Sequence, residues 1–182
     1  MGLNLEENLE KGIIIILNGV SSSGKTTLSK DLQYKFNDIY YLLSSDKFCE
    51  MIHEKYIDLN HPEYVHKTLS LFRKVIKLYS DEGVNVIVDT VMLENIKHNL
   101  YKDYMDLLEN YPVVLVRVIC SLEELQRREK KREDRYVGLA KSQIPILNPQ
   151  NGYDVIVDTY KNTIDECSNI IIEYINKNIF NK

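Results

Sequence analysis

Ile13-Ile-Ile-Ile-Leu-Asn-Gly19-Val-Ser-Ser-Ser-Gly24-Lys25-Thr26-Thr27 is the stretch on which the fold turns. Gly19 through Thr26 match G-x-x-x-x-G-K-T at every position. The flanks supply the context the pattern needs. Ile13 to Leu17 is a short, β-branched apolar run, which predicts a buried strand. Leu28 and Leu32, four apart with Lys30 and Asp31 between them, predict an amphipathic helix. Strand, glycine-bounded turn and helix together are the setting of a phosphate-binding loop.

The physics of that loop is specific. Gly19 and Gly24 let the chain turn tightly, and Gly24 leaves room for a phosphate to approach. Backbone N–H groups around Ser21, Ser22, Ser23, Gly24 and on to Thr27 then converge as an anion-binding nest. A helix starting near Lys25 adds its positive N-terminal end. Lys25 is positioned for the β- and γ-phosphates of ATP, and the Thr26 hydroxyl for Mg²⁺. The bland alternative, a Gly/Ser-rich turn, explains neither the lysine nor the hydroxyl.

Composition sets bounds. The 182 residues suit one domain, with residues 1–11 a polar tail and 12–182 the folded unit. A net charge of −4 does not suit a general nucleic-acid binder. Cys49, Cys120 and Cys167 are too scattered for a zinc or redox motif and suit a reducing, cytoplasmic setting. The run at Ile13 is too short for a membrane span. His53, His61, His66 and His98 lack ligand spacing and read as local hydrogen-bonding residues.

Along the chain, strands alternate with helices. Strands are expected at Asp38–Ser45, Val84–Val88, Val113–Ile119 and Tyr153–Val157. A helix capped by Asn60 carries Val65, Leu69, Phe72, Ile76 and Tyr79 and stops at Gly83. Leu93, Ile96, Leu100, Tyr104 and Leu107 mark another. Ser121-Leu-Glu-Glu124 reads as a capping box opening a polar helix. Ile164, Cys167, Ile171 and Ile175 face inward from a last one. This predicts an α/β, P-loop NTPase fold: a five-stranded parallel sheet with helices on both faces.

In such sheets ligands bind beyond the carboxyl ends of the strands. The second strand runs into Asp46 and the third into Asp89. Beside a bound phosphate, a strand-end carboxylate accepts the proton of an attacking hydroxyl or holds Mg²⁺. Asp46 suits the first role and Asp89 the second, and each could instead cap a helix. The run Arg127-Arg128-Glu-Lys-Lys-Arg132-Glu-Asp-Arg135 is the remaining charged feature. If its helix persists, Arg128, Arg132 and Arg135 share one face, while Arg127, Lys130 and Lys131 are a solvated face. The non-periodic stretch that follows makes a lid over approximately 128–152, whose arginines can neutralise a moving phosphoryl group.

With these residues in view, the chain resembles the chloramphenicol phosphotransferase-like P-loop kinases. The likeness rests on residues 16–26, Ser45-Asp46, Val86-Ile-Val-Asp89, Arg128-Glu…Arg132-Glu-Asp-Arg135, Gly138-x-Ala140, Gln143 and Tyr153-Asp-Val-Ile-Val-Asp-Thr159. It implies ATP- and Mg²⁺-dependent phosphorylation of a small-molecule hydroxyl, with Asp46 as the base and Arg128, Arg132 and Arg135 as lid arginines. Leu147-Asn148, Thr90 and the segment between Asp46 and Val84 depart from the family pattern. Those departures fall where an acceptor would be held, so chloramphenicol itself is expected to be a poor acceptor. Nucleotide, shikimate-type and toxin-like sugar-nucleotide kinases, and a non-enzymatic ATP-binding switch, are the alternative readings on this scaffold.

Overall fold

The computed structural model describes residues 10–56, 62–94, 99–131 and 137–180. Its centre is β1 (Ile14–Asn18), every residue of which is buried. Around it lie β2 (Tyr40–Ser44), β3 (Asn85–Thr90), β4 (Val113–Ile119) and β5 (Val155–Asp158) in the order β2-β3-β1-β4-β5. All pairings are parallel. The helices are α1 (Lys25–Lys35), α2 (Ser45–Cys49), α3 (Pro62–Asp81), α4 (Leu100–Leu108), α5 (Leu122–Glu129), α6 (Leu139–Gln143) and α7 (Ile164–Ile175).

The apolar run at Ile13 is continuous because both faces of the central strand are covered. Ile14 and Ile16 pack with Phe72 and Ile76 of α3 and Tyr104 and Leu108 of α4. Ile13, Ile15 and Leu17 turn the other way, toward Leu28 and Leu32 of α1 and Cys167, Ile171 and Ile175 of α7. Each fully buried aliphatic side chain contributes about 1.5–3 kcal/mol, so this two-sided packing anchors the end of β1 from which the glycine loop departs. Among the described residues no helix is long and apolar enough to cross a membrane.

Helix ends follow local chemistry. Gly83, at φ 71°, closes α3. Its N–H reaches Ser80 O at 3.0 Å and Val84 N–H reaches Tyr79 O at 2.9 Å, the paired bonds of a Schellman stop. The Asn60 cap expected at the other end lies outside the described residues.

Three expectations need correction. The helix through Leu93 begins only at Leu100, capped by Asn99, whose Oδ1 accepts Lys102 N–H at 2.9 Å. Leu93 instead pairs antiparallel with Leu147 and packs against Val20, Leu125, Ala140 and Leu147. Tertiary burial at the sheet's carboxyl edge overrides its helical spacing; Ile96 lies outside the described residues. The Ser121 capping box is only half formed. Ser121 Oγ accepts Glu124 N–H at 3.3 Å, but the Glu124 carboxylate is taken by Arg127 and Arg128. A reciprocal box forms at Thr163 and Glu166 instead. The second strand ends at Ser44, two residues short of Asp46, because the Ser44 hydroxyl starts α2.

Candidate active site

Register decides which side chains meet at the carboxyl edge. Leu17 stands level with Asp89 on β3, and Asp89 with Ser44 on β2. The glycine loop, the end of β3 and the start of α2 therefore open onto one cleft of about 510 Å³. Ser21, Ser22, Gly24, Lys25, Thr26 and Thr27 line one wall; Asp46, Asp89 and Arg128 also face this cleft.

The loop backbone has the shape the motif predicts. A Cβ on Gly19 would lie 2.4 Å from Val118 O, so only glycine fits against β4. Gly24 sits at φ 97° and Ser22 at φ 61°, both left-handed. For serine that conformation is uncommon, and strain of this kind concentrates in ligand-binding loops. Ser23 N–H closes on Val20 O at 3.3 Å, and Leu28 N–H bonds Gly24 O at 3.0 Å as α1 begins. Among the described residues the buried hydroxyls of Ser21, Ser22 and Ser23 meet no protein partner. Buried polar atoms are normally paired, so this loop fits a ligand rich in acceptor oxygens.

Lys25 and Thr26 both line the cleft. Lys25 Nζ donates to Val20 O at 3.0 Å, folding the ammonium back over the loop. Thr26 Oγ1 donates to Asp89 Oδ2 at 2.6 Å. Asp89 is only 7% exposed and caps no helix. A hydroxyl and a carboxylate this close, at the mouth of a phosphate loop, are the hard oxygen donors that suit Mg²⁺. Asp46 occupies the first turn of α2, exposed to the cleft; Ser44, not Asp46, caps that helix. Burial, and secondarily the neighbouring Asp46 charge, pushes the Cys49 thiol up.

Arg127 and Arg128 separate as the spacing predicts. The Arg127 side chain is 56% exposed and pairs with Glu124 at 2.6 Å. Arg128 reaches the loop: Nη1 donates to Ser22 O at 3.3 Å and to Thr159 Oγ1 at 3.1 Å, and Nη2 to Thr159 O at 2.9 Å. Hydrogen bonds from Arg127 and then Arg128 hold the Glu124 carboxyl down to about 2. The helix itself ends at Glu129, so it does not persist along the arginine run. There the Glu129 side chain turns inward to Gly138 and Ala140. Arg132 and Arg135 lie outside the described residues.

Several residues at the site carry no role in the linear reading. Lys131, assigned to a solvated face, lines the cleft, as do Asn162 and Thr163. Thr159 Oγ1 donates to Ser23 O at 2.6 Å, tying the end of β5 to the loop. Asn18, fully buried, donates to Asn148 O and Tyr153 Oη and accepts Met92 N–H, fastening β1 to the 147–153 segment. Thr90 Oγ1 lies 3.4 Å from Tyr104 Oη on the cleft floor. Position and residue type offered a signal for Thr159, which follows a strand-end aspartate; for Lys131 nothing distinguishes it from its charged neighbours.

Arg128→Ala is expected to lower kcat/KM for nucleotide by about tenfold or more, the scale of one hydrogen bond to a charged group. Arg127→Ala should change it less than about twofold, because an exposed ion pair contributes little. Steady-state kinetics on both variants checks the contrast, and equal losses would show a general positive field.

The family model described as Chloramphenicol phosphotransferase-like protein matches residues 12–176. A Mycobacterium tuberculosis protein carrying the provisional name O-phosphotransferase is 27% identical, over 88% of this chain and 80% of that one. The adenylyl-sulfate kinase of Clostridium acetobutylicum is 25% identical, over 91% of this chain and 84% of its own. Among solved structures, the Mycobacterium tuberculosis APS kinase CysC in complex with AMPPNP and APS superposes with a TM-score of 0.65 at 18% identity. That alignment covers 91% of this chain and 98% of the kinase, a likeness of fold.

Proposed function

Because this chain belongs to the chloramphenicol phosphotransferase-like family, we propose that it is an ATP-dependent kinase for a hydroxyl group of a small molecule. The observation that carries this reading is the Thr26–Asp89 pair at 2.6 Å, in one cleft with Lys25 and Asp46. A phosphate loop alone also suits a switch. A second carboxylate in the same cleft, Asp46, suits transfer to an acceptor, since a switch has no proton to remove.

The residues divide the work. The N–H groups of Ser22 and of residues 24–27 bind phosphate oxygens, and Lys25 neutralises the transferring group. Thr26 and Asp89 hold the metal. Asp46 orients the acceptor hydroxyl and takes its proton. Arg128 fixes Ser22 and Thr159 around the loop and so keeps the nest in shape. Bound Mg·ATP supplies the activated phosphoryl group and the charge that the metal offsets. The provisional name of the mycobacterial relative accords with a hydroxyl acceptor. The adenylyl-sulfate kinase likeness favours, as a second reading, an acceptor hydroxyl carried on a nucleotide.

Calorimetric titration with ATP tests the metal assignment. Binding is expected to weaken by about tenfold or more when Mg²⁺ is omitted, and Thr26→Ala to lose most of that Mg²⁺ dependence. Equal affinities with and without the metal would contradict the assignment.

A further inference from the structure

α6 starts in an unusual way. Its N-cap is Gly138, which has no side chain to offer. The cap comes from another helix: the fully buried Glu129, last residue of α5, accepts Gly138 N–H at 2.9 Å and Ala140 N–H at 2.6 Å. A buried carboxylate is costly unless its oxygens are bonded, so these two bonds fix where α6 begins. At the other end of α6, Gln143 Oε1 accepts Ser21 N–H at 2.7 Å. The backbone N–H can only donate, so the amide oxygen must face it and Nε2 must turn away. Gln143 lines the cleft, and among the described residues no acceptor meets its Nε2.

The position of that amide along the loop matters. Ser21 follows Val20, whose carbonyl accepts Lys25 Nζ. Gln143 therefore stands at the end of the loop where the ammonium lies. Arg128 and Thr159 stand at the Gly24 end. The Ser21 N–H is spent on Gln143, whose side chain lines the same cleft and carries two amide N–H groups of its own.

We propose that Gln143 Nε2 donates a hydrogen bond to an oxygen of the terminal phosphoryl group, and that Glu129 is the positioning residue that sets Gln143 there. The inference rests on the kinase reading above and adds a donor that discriminates a triphosphate from a diphosphate. Glu129 acts through α6 and touches no substrate.

The test compares calorimetric affinities for Mg·ADP and for the non-hydrolysable Mg·AMPPNP. Gln143→Leu is expected to weaken AMPPNP by roughly ten- to a hundredfold, the scale of one charge-assisted hydrogen bond, while ADP stays within about twofold. Unchanged ADP binding doubles as the control that the loop is intact. Gln143→Glu keeps an oxygen for Ser21 N–H but sets negative charge against phosphate; it should lose AMPPNP selectively and at least as strongly. Glu129→Gln offers one oxygen and one NH₂ to two N–H donors, so it should show a smaller loss of the same selective kind. In the double variant Glu129→Gln, Gln143→Leu, the AMPPNP to ADP ratio should be no worse than in Gln143→Leu alone. Equal losses of both nucleotides in the Gln143 variants would make the residue a loop scaffold and overturn the inference, as would no loss at all. Additive effects in the double variant would overturn the role of Glu129. A wild-type protein that binds neither nucleotide would instead overturn the kinase reading beneath it.

Discussion

Lys25→Ala is expected to lower kcat by about 10³ or more and to weaken Mg·ATP binding by roughly ten- to a hundredfold. Removing one preorganised donor from a developing charge costs about 10²–10³ in rate, and Lys25 carries a full positive charge as well. Its ammonium rests on Val20 O at 3.0 Å, inside the loop, so it needs only a small movement to meet a phosphate. The substitution removes one part-buried hydrogen bond, which contributes about 0.5–1.5 kcal/mol. Thermal unfolding should therefore shift little while activity collapses. A variant that turns over at wild-type rate would remove the phosphate-loop assignment.

Asp46→Asn carries the second large effect. The amide keeps size and hydrogen bonding but cannot accept the proton. A positioned base contributes on the order of 10²–10⁴ in rate, so kcat is expected to fall on that scale. Because Asp46 belongs to α2 and not to the loop, affinity for Mg·ATP should be unchanged. Ser44, not Asp46, caps that helix, and an unchanged thermal unfolding midpoint checks that the variant keeps its fold. Single-turnover kinetics with ATP in excess isolates this step from product release. A fall of less than tenfold would put the base elsewhere, or leave a loose transition state with no need of one.

The parts of this molecule that were legible in the sequence are those set by neighbours along the chain. The alternation of Ile14 and Ile16 against Ile15 and Leu17 comes from strand geometry, and the run is apolar throughout because both faces are covered. The Gly83 stop and the left-handed Gly24 are likewise local requirements. The meeting of Thr26 with Asp89, 63 residues apart, follows once the strands are in order, since Asp89 ends the strand beside β1.

What the sequence could not give are pairings made across the sheet's edge. Leu93 has the spacing of a helix, but its partner is Leu147, and only the fold brings the two together. Glu129 looks like one more charge in a charged run. Its burial depends on the Gly138 and Ala140 N–H groups nine and eleven residues on. Gln143 meets Ser21 across 122 residues, and nothing near either one announces it. One face for Arg128, Arg132 and Arg135 requires the helix to persist along the run, yet α5 stops at Glu129, where that inward turn begins.

Transfer of a phosphoryl group to a small-molecule hydroxyl is read out by mass spectrometry of the products. The protein is incubated with Mg·ATP and a panel of hydroxyl-bearing metabolites, nucleotides and antibiotics, with Asp46→Asn run in parallel. At least one acceptor should gain a single phosphoryl group with the wild-type protein and far less with Asp46→Asn, and chloramphenicol should be phosphorylated poorly. Slow release of phosphate from ATP, unchanged by Asp46→Asn and with no phosphorylated acceptor anywhere in the panel, would contradict this transfer and point to an ATP-binding switch.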